Sequence, residues 1–96
     1  MKCNPDQLRV EYRSLQRRLA QVGWISHGYA QDRGPGAGGP CYQWTRKERK
    51  KTVSVALSKE QYHWMKQVIA NWRQVHKLLK RMEQISRALL FETVPG

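Results

Sequence analysis

The residues best suited to chemistry lie in one short stretch, where polar side chains alternate with apolar ones and cations cluster between the two runs. The alternating polar residues are Gln43, Thr45, Thr52 and Ser54. The cations of the same stretch are Arg46, Lys47, Arg49, Lys50 and Lys51. Amide and hydroxyl side chains hydrogen-bond to base edges, and Lys and Arg neutralise phosphates. Together these residues predict a nucleic-acid-binding surface.

Within that hypothesis the residue types suggest separate roles. Arg46 and Arg49 are the predicted guanine contacts and Gln43 the predicted adenine contact, because their donors and acceptors match those base edges. The hydroxyl side chains are predicted to contact thymine methyl groups or phosphates, and the lysines to hold phosphates. The alternative is an ordinary solvated hairpin whose lysine-rich turn prevents edge-to-edge aggregation.

The charge of the chain indicates the same class of partner. The 96 residues include 18 Lys and Arg against seven Asp and Glu, for a formal net charge of +11. Such a field attracts polyanions over about 8–10 Å in physiological salt. We therefore expect nucleic acid as the partner, with DNA favoured over RNA, and no small-molecule substrate. RNA binding is the first alternative, and Trp24, Tyr29 and Trp44 are candidates for stacking on unpaired bases.

The sequence contains no arrangement typical of an enzyme or a metal site. It has no nucleophile-elbow motif and no paired carboxylates. Cys3 and Cys41 lie far apart, and His27, His63 and His76 are scattered, whereas a zinc site needs about four ligands at regular spacing. We expect no enzymatic activity, no metal and no cofactor.

Hydropathy gives no sign of a membrane or a secretory route. Residues 1–25 carry charges and lack the apolar region of a signal peptide. No run approaches the roughly 18 apolar residues that a membrane-spanning helix requires. These features predict a cytoplasmic protein without a membrane partner, and the length of 96 residues predicts a single domain, 1–96.

The elements that must position these residues begin with a helix over about 5–22. Asn4 is a suitable N-cap, Pro5 suits the first helical position, and Gly23 is expected to end the helix. An apolar stripe follows at spacings of four and three, formed by Leu8, Tyr12, Leu15, Leu19 and Val22.

Alternation predicts a small antiparallel sheet of two or three strands. The strands are expected over about 24–29, 41–46 and 51–57, with a flexible Gly- and Pro-rich loop over 31–40. The loop lacks the Gly-Lys-Ser/Thr ending of a phosphate-binding loop, so nucleotide binding there is not expected. Val53, Val55 and Leu57 share one face of the third strand, which predicts that this face is covered by a helix.

A long helix is predicted over about 59–90, starting from Ser58 as N-cap. An unbroken heptad seam runs along it, formed by Trp64, Val68, Asn71, Val75, Leu78, Met82, Ile85 and Leu89. A seam with one polar position is typical of a coiled coil, so it predicts oligomerisation, most simply a homodimer. The alternative is an intramolecular hairpin with the first helix.

Two segments resemble a known family. The run GGPCYQWTRK at 38–47 and the following 51–61, together with the pattern from Trp72 to Phe91, resemble a family of small uncharacterised prokaryotic proteins often encoded near transposon-type genes. The resemblance implies a mobile-element setting and assigns no activity. Some similar proteins carry extra cysteines before the Gly-Pro, where this chain has Asp32 and Arg33, so a metal knuckle is not expected.

Taken together, the patterns predict an α+β fold: an N-terminal helix, a small antiparallel sheet and a long C-terminal helix with a heptad pattern. The predicted function is nucleic-acid binding, as a DNA-binding accessory or regulatory protein of a mobile element. A coiled-coil adaptor between proteins, whose positive charge is incidental, is the alternative from a different class.

Overall fold

The computed structural model describes residues 4–36 and 38–96 and confirms the α+β prediction. The elements in chain order are α1 (Pro5–Ala20), β1 (Tyr29–Asp32), β2 (Tyr42–Glu48), β3 (Lys51–Leu57) and α2 (Lys59–Thr93). The chain divides into two compact units that share α2. The helical unit comprises the residues up to 22 with 74–96, and the sheet unit comprises 23–73. The expectation of a single domain stays a prediction.

Helix α1 starts where its N-cap predicted. The Oδ1 atom of Asn4 accepts hydrogen bonds from the backbone N–H groups of Asp6 at 3.0 Å and Gln7 at 3.4 Å, which satisfies two donors of the first turn. The helix ends at Ala20, two residues before the predicted 22. Its C-cap is Gln21 in the right-handed helical region, so Gly23 does not act as a left-handed cap.

The core of the helical unit joins α1 to the second half of α2. Leu8 and Leu15 of α1 form a buried cluster with Leu78 and Ile85 of α2. Partly buried side chains pack around this cluster, namely Tyr12, Leu19, Val22, Met82, Ala88 and Leu89. The apolar stripe predicted for α1 is therefore the face that α1 buries.

An ion pair joins the same two helices at the edge of this core. The guanidinium of Arg81 donates from Nε to Glu11 Oε2 at 2.6 Å and from Nη2 to Glu11 Oε1 at 2.8 Å. This two-point geometry is the strongest form of an Arg–carboxylate contact. It also holds the pKa of Glu11 below its ordinary value of 4.5, chiefly through the hydrogen bonds from Arg81.

The sheet is antiparallel with strand order β1-β2-β3. The first strand lies at Tyr29–Asp32, and the predicted strand over 24–29 was misplaced. The reason is that this segment is hydrogen-bonded to α2 instead. Ser26 N donates to Val68 O at 3.3 Å, and Asn71 Nδ2 donates to Trp24 O at 2.9 Å.

The second and third strands form a hairpin that is longer and tighter than predicted. Strand β3 has the predicted bounds, but β2 begins at Tyr42 and continues to Glu48, past the predicted end at 46. Glu48 pairs with Lys51, so the turn contains two residues only. The loop before the hairpin starts after Asp32 rather than at 31. It is fixed at its base by Arg33 N, which donates to Cys41 O at 2.7 Å.

Helix α2 begins with a complete capping box. Gln61 N donates to Ser58 Oγ at 3.1 Å, and Ser58 N donates to Gln61 Oε1 at 2.8 Å. The helix continues to Thr93, three residues beyond the predicted end near 90, because no Pro interrupts it before Pro95. No helix in the described part of the chain is long and apolar enough to cross a membrane.

Candidate nucleic-acid interface

The two faces of the sheet have different surroundings. The ring of Tyr42 lies 4.9 Å from the ring of Tyr62 on α2, so the face that carries Tyr42 is the one turned toward the helix. Residues directly opposite in an antiparallel ladder share a face, and neighbours along a strand alternate. The other face, here called the open face, therefore carries Tyr29, Gln31, Gln43, Thr45, Lys47, Thr52, Ser54 and Ala56.

The open face is organised in three cross-strand rows. The rows are Gln31–Gln43–Ala56, Tyr29–Thr45–Ser54 and Lys47–Thr52. In the middle row the hydroxyl oxygens of Thr45 and Ser54 lie 3.2 Å apart and share a hydrogen bond. All the residues of this face are exposed or half-buried. The face thus presents amides, hydroxyls and one ammonium group to solvent, without a large aliphatic side chain.

The hairpin ends in a turn made of two cations. Arg49 and Lys50 have φ values of 49° and 67°, which is the backbone of a type I′ turn. Such turns favour Asn-Gly, and a residue with a Cβ pays about 1–2 kcal/mol in the left-handed region. Both residues are exposed, as is Lys47 at the adjacent end of the open face. These three cations are called the basic tip below.

Two of the predicted interface residues lie on the other side of the sheet. The guanidinium carbon of Arg46 is 4.5 Å from the ring centroid of Trp44, and its Nη2 donates to Glu48 Oε2 at 3.2 Å. Arg46 therefore shares the helix-facing side with Trp44, and the strand alternation places Lys51 there as well. The remaining predicted residues, Gln43, Thr45, Lys47, Thr52 and Ser54 with Arg49 and Lys50, lie on the open face or in its turn.

The structure adds Tyr29 and Gln31 to the open face. The sequence predicts Tyr29 at the end of a strand and Gln31 in the loop. One signal was available: the carboxylate of Asp32 accepts from Gly34 N at 2.9 Å, and this Asp-x-Gly turn marks the true end of β1. Trp24, a predicted stacking residue, is 76% exposed and lies outside the sheet.

Gly28 fixes the position of β1 beside β2. Its φ of 114° lies in the region that only glycine adopts readily. A Cβ at this position would overlap Trp44 Nε1 and would lie 2.9 Å from Thr45 O. The indole N–H of Trp44 donates to His27 O at 3.1 Å, next to the glycine. The absent side chain thus lets the preceding segment lie on Trp44 while Tyr29 starts pairing with Thr45.

The predicted oligomerisation seam is used largely within this chain. Val68, Val75, Leu78 and Ile85 are between 0% and 7% exposed, while Met82, Leu89 and Asn71 are half-buried. Asn71, the polar position, donates to Trp24 O and accepts from Gln67 Nε2 at 3.0 Å. Trp64 alone is largely exposed, at 56%. The heptad pattern therefore has an intramolecular explanation, and oligomerisation stays a prediction.

The described residues contain no group of three or more His, Cys, Asp or Glu side chains placed to hold a metal ion. Cys41 is exposed and free, and Cys3 lies outside the described residues. The open face is built for hydrogen bonding and charge attraction.

Comparison with known proteins gives no relative. The chain matches no protein-family model, no curated protein and no solved structure. The resemblance to small prokaryotic proteins near transposon-type genes therefore stays a prediction.

Proposed function

We propose that this protein binds nucleic acid through the open face and the basic tip, and that duplex DNA is the preferred partner. The observation that carries the proposal is the coincidence of two features on one surface. A solvent-exposed sheet face made of amides and hydroxyls ends in a turn of cations held in a costly backbone conformation. Residues in strained backbone conformations cluster at functional sites, and here two positively charged residues occupy such positions at the end of the hairpin.

The dimensions of the sheet suit the major groove of DNA. Neighbouring strands lie about 4.8 Å apart, so the two-stranded β2–β3 hairpin is about 10 Å wide across its backbone. The major groove is about 12 Å wide and admits a two-stranded β-ribbon as well as a helix. The hairpin, whose strand β2 carries Gln43, Thr45 and Lys47, would then lie in the groove, with β1 beside one groove wall.

The side chains divide into reading and holding groups. Gln43 and Gln31 form one row and carry the amides that pair with adenine in the major groove. Arg49 is the remaining candidate for guanine, because Arg46 already contacts Trp44 and Glu48. Lys47 and Lys50 would neutralise phosphates. This division assigns binding and no catalysis, and with the sequence resemblance it suits an accessory or regulatory protein of a mobile element.

The test compares duplex DNA, single-stranded DNA, structured RNA and heparin over a salt series. The key variant is Arg49→Asn with Lys50→Gly, which removes two charges and installs the residues that a type I′ turn favours. We expect it to lose about tenfold or more in duplex affinity at 0.15 M salt, and the slope of log K against log salt to fall by about 0.9, because Lys50 is assigned to a phosphate and Arg49 to a base. We also expect it to be about 1 kcal/mol more stable to unfolding.

The matched control is Lys77→Gln with Lys80→Gln, which removes two exposed charges from the part of α2 in the helical unit. We expect it to lose less than about threefold, because no contact with DNA is removed. Equal losses in the two variants would contradict the proposal and indicate diffuse attraction to a basic protein. Equal affinity for all four polyanions that collapses by about 0.2 M salt would favour the adaptor alternative.

A second candidate is binding of single-stranded nucleic acid, RNA included. It is favoured by Tyr29, which is 58% exposed on the middle row of the open face beside Thr45. An aromatic ring on an open sheet face stacks on unpaired bases, at about 1–3 kcal/mol per base. A Tyr29→Ala variant that loses RNA or single-stranded DNA affinity but keeps duplex affinity would favour this candidate.

A further inference from the structure

A cleft lies inside the sheet unit, between β1 and the first half of α2. Its volume is about 420 Å³, within the range of small-ligand pockets. One wall is β1, Tyr29–Asp32, and the other is a single stripe of α2 formed by Tyr62, Lys66, Ile69 and Arg73. The spacings of four, three and four along α2 place these side chains on one side of the helix. The cleft is independent of the basic tip.

The cleft exists because β1 has little to fill it. Alternation turns Ala30 and Asp32 toward α2, and neither side chain is a large apolar one. Ile69, which is 5% exposed, forms an apolar floor. In addition, β1 is an edge strand, paired on one side by β2 alone among the described strands, so the cleft opens along a free edge.

The walls combine three kinds of chemistry. Tyr62 offers an aromatic surface, and the ammonium of Lys66 lies 5.4 Å from its ring centroid. Arg73, exposed at the other end of the stripe, makes no ion pair or hydrogen bond among the described residues. Asp32 contributes the one carboxylate among the lining residues, and it accepts only from Gly34 N in the described part of the chain. An apolar floor, an aromatic wall and two cations suit a planar ring that carries a phosphate.

We infer that this cleft binds one unpaired nucleotide of a bound nucleic acid, with the base over Ala30 and Ile69 and its flanking phosphates at Lys66 and Arg73, which lie on either side of Ile69 along α2. The inference rests on the proposed function and names a second contact for the same partner. Tyr29 and Gln31 belong both to the open face and to the rim of the cleft. A strand that leaves the open face across the edge of β1 would therefore meet the cleft directly.

Asp32 gives the cleft a base preference. Asp32 Oδ1 accepts from Gly34 N and keeps a second lone pair, so the two carboxylate oxygens can still accept two parallel N–H bonds, and guanine is the base whose Watson–Crick edge carries two adjacent N–H donors. Adenine, cytosine and thymine each present fewer donors beside one another. The cleft should therefore prefer an unpaired guanine.

The test measures the affinity of the full chain for a blunt DNA duplex and for the same duplex with one unpaired nucleotide added. The added nucleotide is dG, dA, dC or dT, and it is placed at the 5′ end or at the 3′ end of one strand. We expect a dG overhang at one of the two ends to raise affinity about tenfold, the value of one stacked base. Lys66→Gln with Arg73→Gln should abolish this increment and leave blunt-duplex affinity within about threefold. Asp32→Asn should keep the increment but remove the preference for dG.

Two variants control for charge and for folding. Lys77→Gln with Lys80→Gln removes the same charge outside the cleft and should keep the full increment. Ala30→Leu changes no charge but fills the cleft, and it should remove the increment while thermal unfolding shows the chain folded. An increment that survives both the Ala30 variant and the Lys66 and Arg73 variant overturns the inference.

The same measurement separates this inference from the proposed function. Blunt-duplex binding without any overhang increment overturns the inference alone. Absence of blunt-duplex binding, with a single-stranded dG oligonucleotide still bound through Lys66 and Arg73, overturns the proposed duplex function and supports the cleft. A polyglutamate peptide that displaces the overhang with the same affinity as the overhang itself would mean that a peptide binds at the edge of β1. That result would also overturn the inference.

Discussion

The two compact units of the chain bury apolar side chains to different extents. Among the described residues, the buried apolar side chains of the helical unit are Leu8, Leu15, Val75, Leu78 and Ile85. Those of the sheet unit are Val68 and Ile69, both on α2. Every strand residue of the sheet is exposed or only half-buried. The helical unit therefore has the larger hydrophobic core, although it also leaves Phe91 81% exposed, and the sheet unit has the open face.

Under the proposed function, this difference corresponds to a division between a unit that stabilises the fold and a unit that binds the partner. Burial of apolar area is the main stabilising term in folding, so the helical unit should dominate the free energy of unfolding. The sheet unit leaves Trp24, Tyr29 and Trp64 between 56% and 76% exposed, which suits contact with a partner. Each of the three predictions below tests one side of this comparison.

The largest expected effect is on the helical core. Ile85 is fully buried, so Ile85→Ala removes apolar atoms that folding takes out of water, and it leaves a cavity in their place. We expect the free energy of unfolding in urea to fall by about 3 kcal/mol. At temperatures well below the midpoint of thermal unfolding, where the variant is folded, its duplex affinity should stay within about threefold of the wild-type value.

Leu79→Ala is the matched control, because Leu79 is 40% exposed on the same helix. Its cost should be less than about 1 kcal/mol. The folded Ile85→Ala variant should not lose as much duplex affinity as Arg49→Asn with Lys50→Gly. An equal loss would contradict the assignment of binding to the sheet unit alone.

The next effect falls on the sheet unit. Gly28→Ala places a Cβ at a φ of 114° and against Trp44 Nε1, so β1 must shift. We expect a cost of about 2–3 kcal/mol, with faster hydrogen exchange at the amides of β1 and β2. The amides of the helical unit should keep their protection. Uniform loss of protection across both units would mean that they unfold as one cooperative body.

The smallest effect concerns the ion pair between Glu11 and Arg81. Both side chains are about two-fifths exposed, at 41% and 42%, so solvent screening limits the pair to about 0.5 kcal/mol. Glu11→Gln should therefore lower the free energy of unfolding by about that amount at pH 7. The control is Glu83→Gln, whose more exposed i,i+4 pair with Arg87 at 3.6 Å should contribute about 0.3 kcal/mol or less.

The pH dependence of this effect has a definite sign. Because Arg81 lowers the folded pKa of Glu11 below 4.5, the pair stabilises the fold above the pKa of the unfolded chain. That stabilisation is lost as pH falls through the lower folded pKa. The difference between wild type and Glu11→Gln should therefore shrink toward zero in acid. A difference that stays constant or grows below pH 4 would show that the ion pair is not its source.

Local patterns were enough to predict the elements that depend on local chemistry. The caps at Asn4 and Ser58 located both helix starts, because their hydrogen bonds close within three residues. The strict alternation through Val53 and Val55 predicted β3 with the bounds that the structure has. The same alternation was enough to predict that Arg46 lies on the helix-facing side of the sheet, because Arg46 and Trp44 are two residues apart along β2.

The rest depended on contacts between distant parts of the chain. The segment around Ser26 is apolar enough for a strand, but its backbone hydrogen-bonds to Val68. The seam through Asn71 has the same spacing whether its partner is another chain or its own chain. The cleft requires Ala30 to face Ile69, and no local pattern reports a space left by a small side chain.

The turn at Arg49 and Lys50 has a consequence for how such a protein responds to selection. Asn-Gly at these two positions would relieve the left-handed backbone of two bulky residues. A laboratory screen for heat resistance alone would therefore be expected to enrich that replacement early. The same replacement removes two charges from the basic tip, so under the proposed function the variants recovered from such a screen would be more stable and would bind DNA less tightly.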